Sequence, residues 1–259
     1  ALDRRHIAIR ERTYGEILDL AVRVIRTHLG PLAAAWLAGA APLAALNWWL
    51  LAGYAPLDFE LGFPAWHMVW TTVLSLVEAP LATAWMTIYL GSAAFTQRPR
   101  ARDVAARFFG SLPQLAALQG ALRPLLVFQP YLTEVIVLDR NPLFSRGDGR
   151  PTTLQRSRDL HRGESGETLA RGILAAAVGL VLLVPLWLSA CLVMAALVGQ
   201  WEWDRAMFTV LYPLCLWAVL GVLAVARFLS YRDLRIRREA WDVELFMREE
   251  LARWSRSAL

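Results

Sequence analysis

The chain has 259 residues, 57% of them hydrophobic and 19% charged, with a formal charge of +5. Its apolar residues come in runs long enough to cross a hydrocarbon core of ~30 Å, which takes ~20 residues at the helical rise, so a single soluble core is excluded. All 27 basic residues are Arg, and they flank the apolar runs instead of forming a basic module interleaved with aromatics, so nucleic acid is not an expected partner.

Ala1–Arg12 reads as a charged cytoplasmic tail, not a cleavable signal peptide, so the first span is expected to serve as the insertion signal. Thr13 and Glu16 then fit a capping box. Behind them Ile17, Leu18, Ala21, Val24 and Ile25 make the apolar face of an amphipathic helix that lies in the interface or packs beneath the bundle. Residues 1–28 form this lead-in. Residues 29–51 form the first span, which ends on the interfacial anchor Asn47-Trp48-Trp49. The loop 52–67 carries Asp58 and Glu60 but no Arg, and is expected outside.

Residues 68–95 form the second span. At ~100° per residue, Trp70, Leu74, Val77, Leu81, Trp85 and Ile88 fall on one side, suited to lipid. Thr71, Thr72, Ser75, Glu78, Ala79, Ala82 and Thr83 fall on the other, where small and hydroxylated side chains let helices approach. Glu78, followed by Pro80, therefore points inward near the bilayer midplane. Arg98, Arg100, Arg102 and Arg107 mark the return to the cytoplasmic side.

Residues 108–138 are apolar but interrupted by Pro113, Gln114, Gln119, Arg123, Pro124, Gln129, Pro130 and Glu134. Two spans and a turn do not fit, and one span would put the next Arg-rich loop on the wrong side. A re-entrant or interfacial hairpin satisfies both constraints. Residues 139–171 form a cytoplasmic loop with a short basic helix at 152–162. Its Arg146-Gly147-Asp148 triplet is on the wrong side to be an adhesion site. Residues 173–199, containing Pro185, and 207–229 are the third and fourth spans, joined by an outer loop with Trp201, Trp203 and the lone outer Arg205. Arg227 is expected to snorkel to the inner surface.

In the tail 231–259, Ile236, Ala240, Val243, Met247, Leu251 and Trp254 recur at helical spacing. Arg232, Arg235, Arg237 and Arg238 beside the span are candidate contacts to anionic lipid, with docking onto a partner or the cytoplasmic loop as the alternative. The fold class is thus all-α: a polytopic membrane protein with four transmembrane helices, a re-entrant or interfacial hairpin and amphipathic terminal helices. The order amphipathic helix, span, short loop, span, Arg-rich segment occurs twice, as in transporter repeats and equally in any pair of helical hairpins.

Four pieces carry a resemblance: Gly15–Asp19 (GEILD), Glu134–Asp139 (EVIVLD), Gln155–Gly163 (QRSRDLHRG) and Tyr231–Leu245 (YRDLRIRREAWDVEL). Together they resemble uncharacterised multi-pass bacterial membrane proteins related to the membrane domain of glycerophosphodiester phosphodiesterases. That resemblance implies a membrane module whose chemistry, in fused relatives, sits in a catalytic barrel absent here. The chain departs from the pattern in 108–138, where relatives have room for two spans.

No nucleotide-binding, nucleophile-elbow or zincin motif occurs, and Cys191 and Cys215 both lie in apolar runs and are expected to be free thiols. No enzymatic activity, cofactor or metal is expected. Glu60, Glu134, Asp139, Glu202 and Asp204 lie near membrane surfaces, where solvation accounts for them. Glu78 is the candidate intramembrane site, read either as a neutral carboxyl hydrogen-bonded to a neighbouring helix or as one half of a polar pair with Arg123. The expected function is a non-catalytic membrane subunit or scaffold of a bacterial inner-membrane complex. It would hold membrane or cytoplasmic proteins through its cytoplasmic face, with both termini inside and membrane lipids around it. The alternative is a small transporter or permease-like protein with Glu78 on the path.

Overall fold

The computed structural model describes residues 13–53, 55–60, 63–94, 99–121, 131–139, 142–143, 151–161, 165–199 and 204–257. Ala1–Arg12, Arg123, the triplet 146–148, Trp201, Glu202 and Trp203 lie outside the described residues, as do the side chains beyond Arg237. Every regular element among the described residues is helical.

Helix α1 spans Tyr14–Thr27. Its capping box is complete: the Glu16 amide donates to the Thr13 hydroxyl at 3.3 Å, and the Thr13 amide donates to the Glu16 carboxylate at 3.0 Å. Two of the four orphan amides of the first turn are thereby met without water. The apolar face of α1 buries Ile17 and Ala21 against the bundle, so this helix packs under the spans.

Four helices are long and apolar enough to cross a membrane. They lie in α2 (Leu29–Leu51), α4 (Ala65–Ala93), α8 (Ser165–Val198) and α9 (Tyr212–Ser257). A short helix, α3 (Ala55–Glu60), precedes α4. Helices α2 and α4 form the most extensive contact. Gly39 makes it possible, since a Cβ there would run into the Ala82 carbonyl. Small residues at such a crossing let backbones meet, which is how helices associate where lipid supplies no hydrophobic drive. Trp36 lies over Gly221 of α9 and donates through Nε1 to the Trp217 carbonyl at 3.1 Å.

Helix α8 is the most lipid-exposed span, touching α9 and the turn before it. Gly179, Leu183, Trp187, Cys191 and Ala195, each four residues after the last, make its inward stripe, while large residues such as Leu180, Val181 and Leu197 face outward. An exposed apolar face is the expected surface where the solvent is lipid. The entry to α9 is a π turn, Met207–Leu211, just before Pro213. Its Met207 carbonyl accepts from the Tyr212 amide and from Trp187 Nε1, the latter at 2.9 Å. Proline has no amide to continue an α ladder, and the wider turn absorbs that mismatch.

The segment after α4 folds as α5 (Ala101–Leu115), running into a π turn at Ala116–Ala121. It resumes as α6 (Leu132–Glu134), running into a second π turn at Val135–Asp139. Both limbs lie against one half of α4, where Ala84 and Ile88 pack with Val104, Phe108, Leu115, Leu132 and Ile136. Trp85 stacks on Phe108 with ring centroids 4.4 Å apart. This corrects part of the lipid face expected for α4. Trp70 and Val77 are exposed as periodicity requires, but Ile88 is buried, because the hairpin covers that side of the helix. Helix α7 (Thr153–His161) packs beside the second limb.

One further reading changes. Tyr231 does not start a separate tail helix: α9 runs unbroken through it, since Ser230-Tyr231 contains neither Gly nor Pro to stop a helix. In the short helix before α4, Asp58 is buried, and its carboxylate accepts from the His67 amide at 2.8 Å, capping α4 from the neighbouring helix. Cys191 and Cys215 are free thiols, both buried.

Candidate functional site

The Arg-rich end of the bundle carries most of the buried charge, and it is assembled by residues far apart in sequence. Hydrogen bonding dictates that a buried carboxylate have a partner, because an unpaired charge in this surrounding costs several kcal/mol, about 3–5 by one-sided mutation. Glu134 is fully buried, and its Oε1 accepts from Arg227 Nε at 2.7 Å. Arg227 also donates to the Thr83 hydroxyl at 3.2 Å. The second limb of the hairpin, α9 and α4 are thereby joined at one point.

One turn further on, Asp139 accepts from Arg235 at 2.8 Å, from the Tyr231 hydroxyl at 3.2 Å and from Arg156 at 3.4 Å. A third cluster links α8 to α9. Arg171 pairs with Glu167 at 2.6 Å and Asp233 at 3.8 Å, and Arg237 pairs with Glu167 at 3.3 Å and Asp233 at 3.4 Å. Two cations and two carboxylates alternate there, so the cluster is locally neutral.

Between these clusters lies a cavity of ≈ 150 Å³ lined in part by Tyr14, Thr83, Tyr131, Arg171 and Arg227. Burial raises the phenol pKa values of Tyr14 and Tyr131 above the ordinary tyrosine value, and the nearby Arg171 cation partly opposes this. Both phenols are therefore neutral hydrogen-bonding groups at physiological pH.

Solvation does not account for Glu134 and Asp139, which are ion-paired inside the bundle. Arg227 turns inward to Glu134 and does not snorkel outward. Of the four Arg singled out as lipid contacts, Arg232 is exposed, whereas Arg235 and Arg237 have carboxylate partners in the chain. The side chain of Arg238 lies outside the described residues. The sequence signal for the network was present: EVIVLD and YRDLRIRR each bring acid or base at helical spacing. Neither segment indicates that the other is its partner.

The intramembrane carboxylate Glu78 has a different surrounding. One oxygen accepts from the Asn47 side-chain amide of α2 at 2.7 Å. Arg123, the suggested partner, lies outside the described residues. Asn47, read from sequence as an interface anchor beside Trp48 and Trp49, is instead buried at the α2–α4 crossing, while both Trp are exposed. No group of three or more His, Cys, Asp or Glu suited to a metal ion occurs among the described residues.

The fold and its four membrane-length helices define an all-α polytopic membrane protein. No family model, curated protein or solved structure matches the chain.

Proposed function

We propose that this chain is a non-catalytic subunit or scaffold of a bacterial inner-membrane complex, holding partner proteins through its Arg-rich, cytoplasmic end. The observation that carries the reading is the continuity of α9 through the ion-pair network. Glu134, Asp139, Glu167 and Asp233 fasten the hairpin, α7 and α8 to this one helix. Helix α9 then runs to Ser257, about 20 residues past Arg237 and ~30 Å at the helical rise. A stiff helix rooted in a clamped base is a support for other proteins. Its extension has the amphipathic spacing of Ala240, Val243, Met247, Leu251 and Trp254, which suits a helix-in-groove partner. At this end of the bundle Glu134 and Asp139 are committed to guanidinium partners, which gives them structural work. The resemblance to the membrane module of the phosphodiesterases points the same way.

Extraction in mild detergent followed by copurification tests this. The full chain is expected to bring down a stable partner that is lost when the chain is stopped after Arg238. A protein that purifies alone and carries proton-coupled flux in liposomes would replace the scaffold with the permease-like reading. One observation favours that second reading: Glu78 is held by a neutral amide, which leaves it able to exchange a proton.

A further inference from the structure

At the end of the bundle opposite the Arg clusters, a groove of ≈ 260 Å³ lies between α2 and the start of α9, floored by α4. The floor is polar. His67, Thr71 and Ser75 follow one another at four-residue spacing, descending ~12 Å from the first turn of α4 toward Glu78, with Asn47 facing them from α2. All four side chains are at least nine-tenths buried. Asn47 Oδ1, both ring nitrogens of His67, Thr71 Oγ1 and Ser75 Oγ have no hydrogen-bond partner among the described residues. Buried polar atoms call for partners, and five of them converging on one groove point to a ligand. The walls are apolar and aromatic, with Trp217 buried and Trp48 exposed at the rim.

We propose that this groove binds the uncharged, hydroxyl-bearing head of a membrane amphiphile, a glycerol or a single sugar, entering sideways from the bilayer. The rim residues Trp48 and Leu214 are more than half exposed, so the groove opens toward lipid and an attached acyl chain can stay outside. Its volume lies just below the ~300–1,000 Å³ of most ligand sites, which suits a head and excludes a whole lipid. Charge decides the rest. Among the described residues no Arg lines the groove, and the Glu78 carboxylate lies one turn below Ser75, which disfavours an anionic head. An ammonium head only donates, and would leave the Ser75 and Thr71 hydroxyl hydrogens and the His67 ring N–H without acceptors. A hydroxyl donates and accepts, as this floor does, and indole faces pack against the C–H faces of a sugar or glycerol. The inference is independent of the scaffold reading, which concerns the other end of the molecule.

The test is equilibrium binding of monoglucosyl diacylglycerol to the full chain in phosphatidylcholine nanodiscs, prepared without glycoside detergent. Saturable binding is expected, weakened about tenfold by Ser75→Ala or Thr71→Val, each of which removes one hydrogen bond. Ala45→Trp, which fills the groove from its exposed rim without touching the polar floor, should abolish it. Phosphatidylethanolamine should compete weakly. Equal competition by phosphatidylethanolamine would overturn the assignment of the head, and non-saturable uptake, or binding unchanged in Ala45→Trp, would overturn the site.

Discussion

Arg227 and Glu134, 93 residues apart in sequence, meet at 2.7 Å with the carboxylate wholly buried and the guanidinium one-quarter exposed. The pair fixes where the second limb of the hairpin sits against α9. A hairpin held only by apolar contacts against α4 could slide along it, whereas a charged pair accepts one register.

Removing one partner leaves the other charge buried, so Glu134→Gln and Arg227→Met should each destabilise the protein by about 3 kcal/mol or more. Replacing both together, Glu134→Leu with Arg227→Met, should recover much of that loss. Thermal unfolding in a fixed detergent measures it, and equal, additive losses would show that the two side chains do not interact.

The Asn47–Glu78 hydrogen bond predicts a different pattern. Glu78→Gln keeps an acceptor for the Asn47 amide and should cost little. Asn47→Leu leaves Glu78 without its donor in an apolar surrounding and should cost about 1–3 kcal/mol. A cycle pairing these changes with Arg123→Gln separates the two candidate partners: coupling to Asn47 is expected, and coupling to Arg123 alone would reassign the carboxylate.

The exposed and paired Arg of α9 should separate functionally. Arg232→Gln is expected to weaken retention on anionic vesicles by the soft ~1 kcal/mol of one surface cation, without changing the melting temperature. Arg235→Gln removes a partner of Asp139 and should lower the melting temperature instead. If both variants alter only vesicle binding, the Asp139 cluster contributes nothing to folding.

Alkaline pH offers a test specific to this composition. An unfolded phenol ionises near pH 10, while burial holds Tyr14 and Tyr131 protonated to higher pH. Their raised folded values mean that this contribution is fully present below about pH 10 and declines as pH rises through them. No lysine titrates in that window, because every basic residue is Arg. The melting temperature should fall as pH rises above about 10, and less steeply in Tyr14→Phe/Tyr131→Phe. An unchanged slope would locate the alkaline sensitivity elsewhere.

What was legible in the sequence was what neighbouring residues decide. The Thr13–Glu16 box is a three-residue relation, and the span α2 is an uninterrupted apolar run. The inward face of α4 followed from the spacing of Thr71, Ser75, Ala79 and Thr83. What escaped depended on distant segments. The burial of Ile88 needs a hairpin that arrives later in the chain, and the roles of Glu134 and Asp139 need guanidiniums more than ninety residues away. Asn47 was misjudged for a related reason. Beside two exposed tryptophans it has the composition of an interface, and only the close α2–α4 crossing at Gly39 turns it inward.

The π turn at Met207–Leu211 bears on how the chain can change length. A π turn holds one residue more than the α turn it replaces. Losing a residue there would convert it to α and leave everything beyond Tyr212 in place, with only the preceding loop to readjust. Losing one anywhere between Tyr212 and Arg227 would rotate one part of α9 against the other by ~100°. Arg227 would leave Glu134, and Tyr231 and Arg235 would leave Asp139, in a single step. Single-residue deletions scanned from Met207 onward should therefore be tolerated within Met207–Leu211 and rejected from Tyr212 to Arg227.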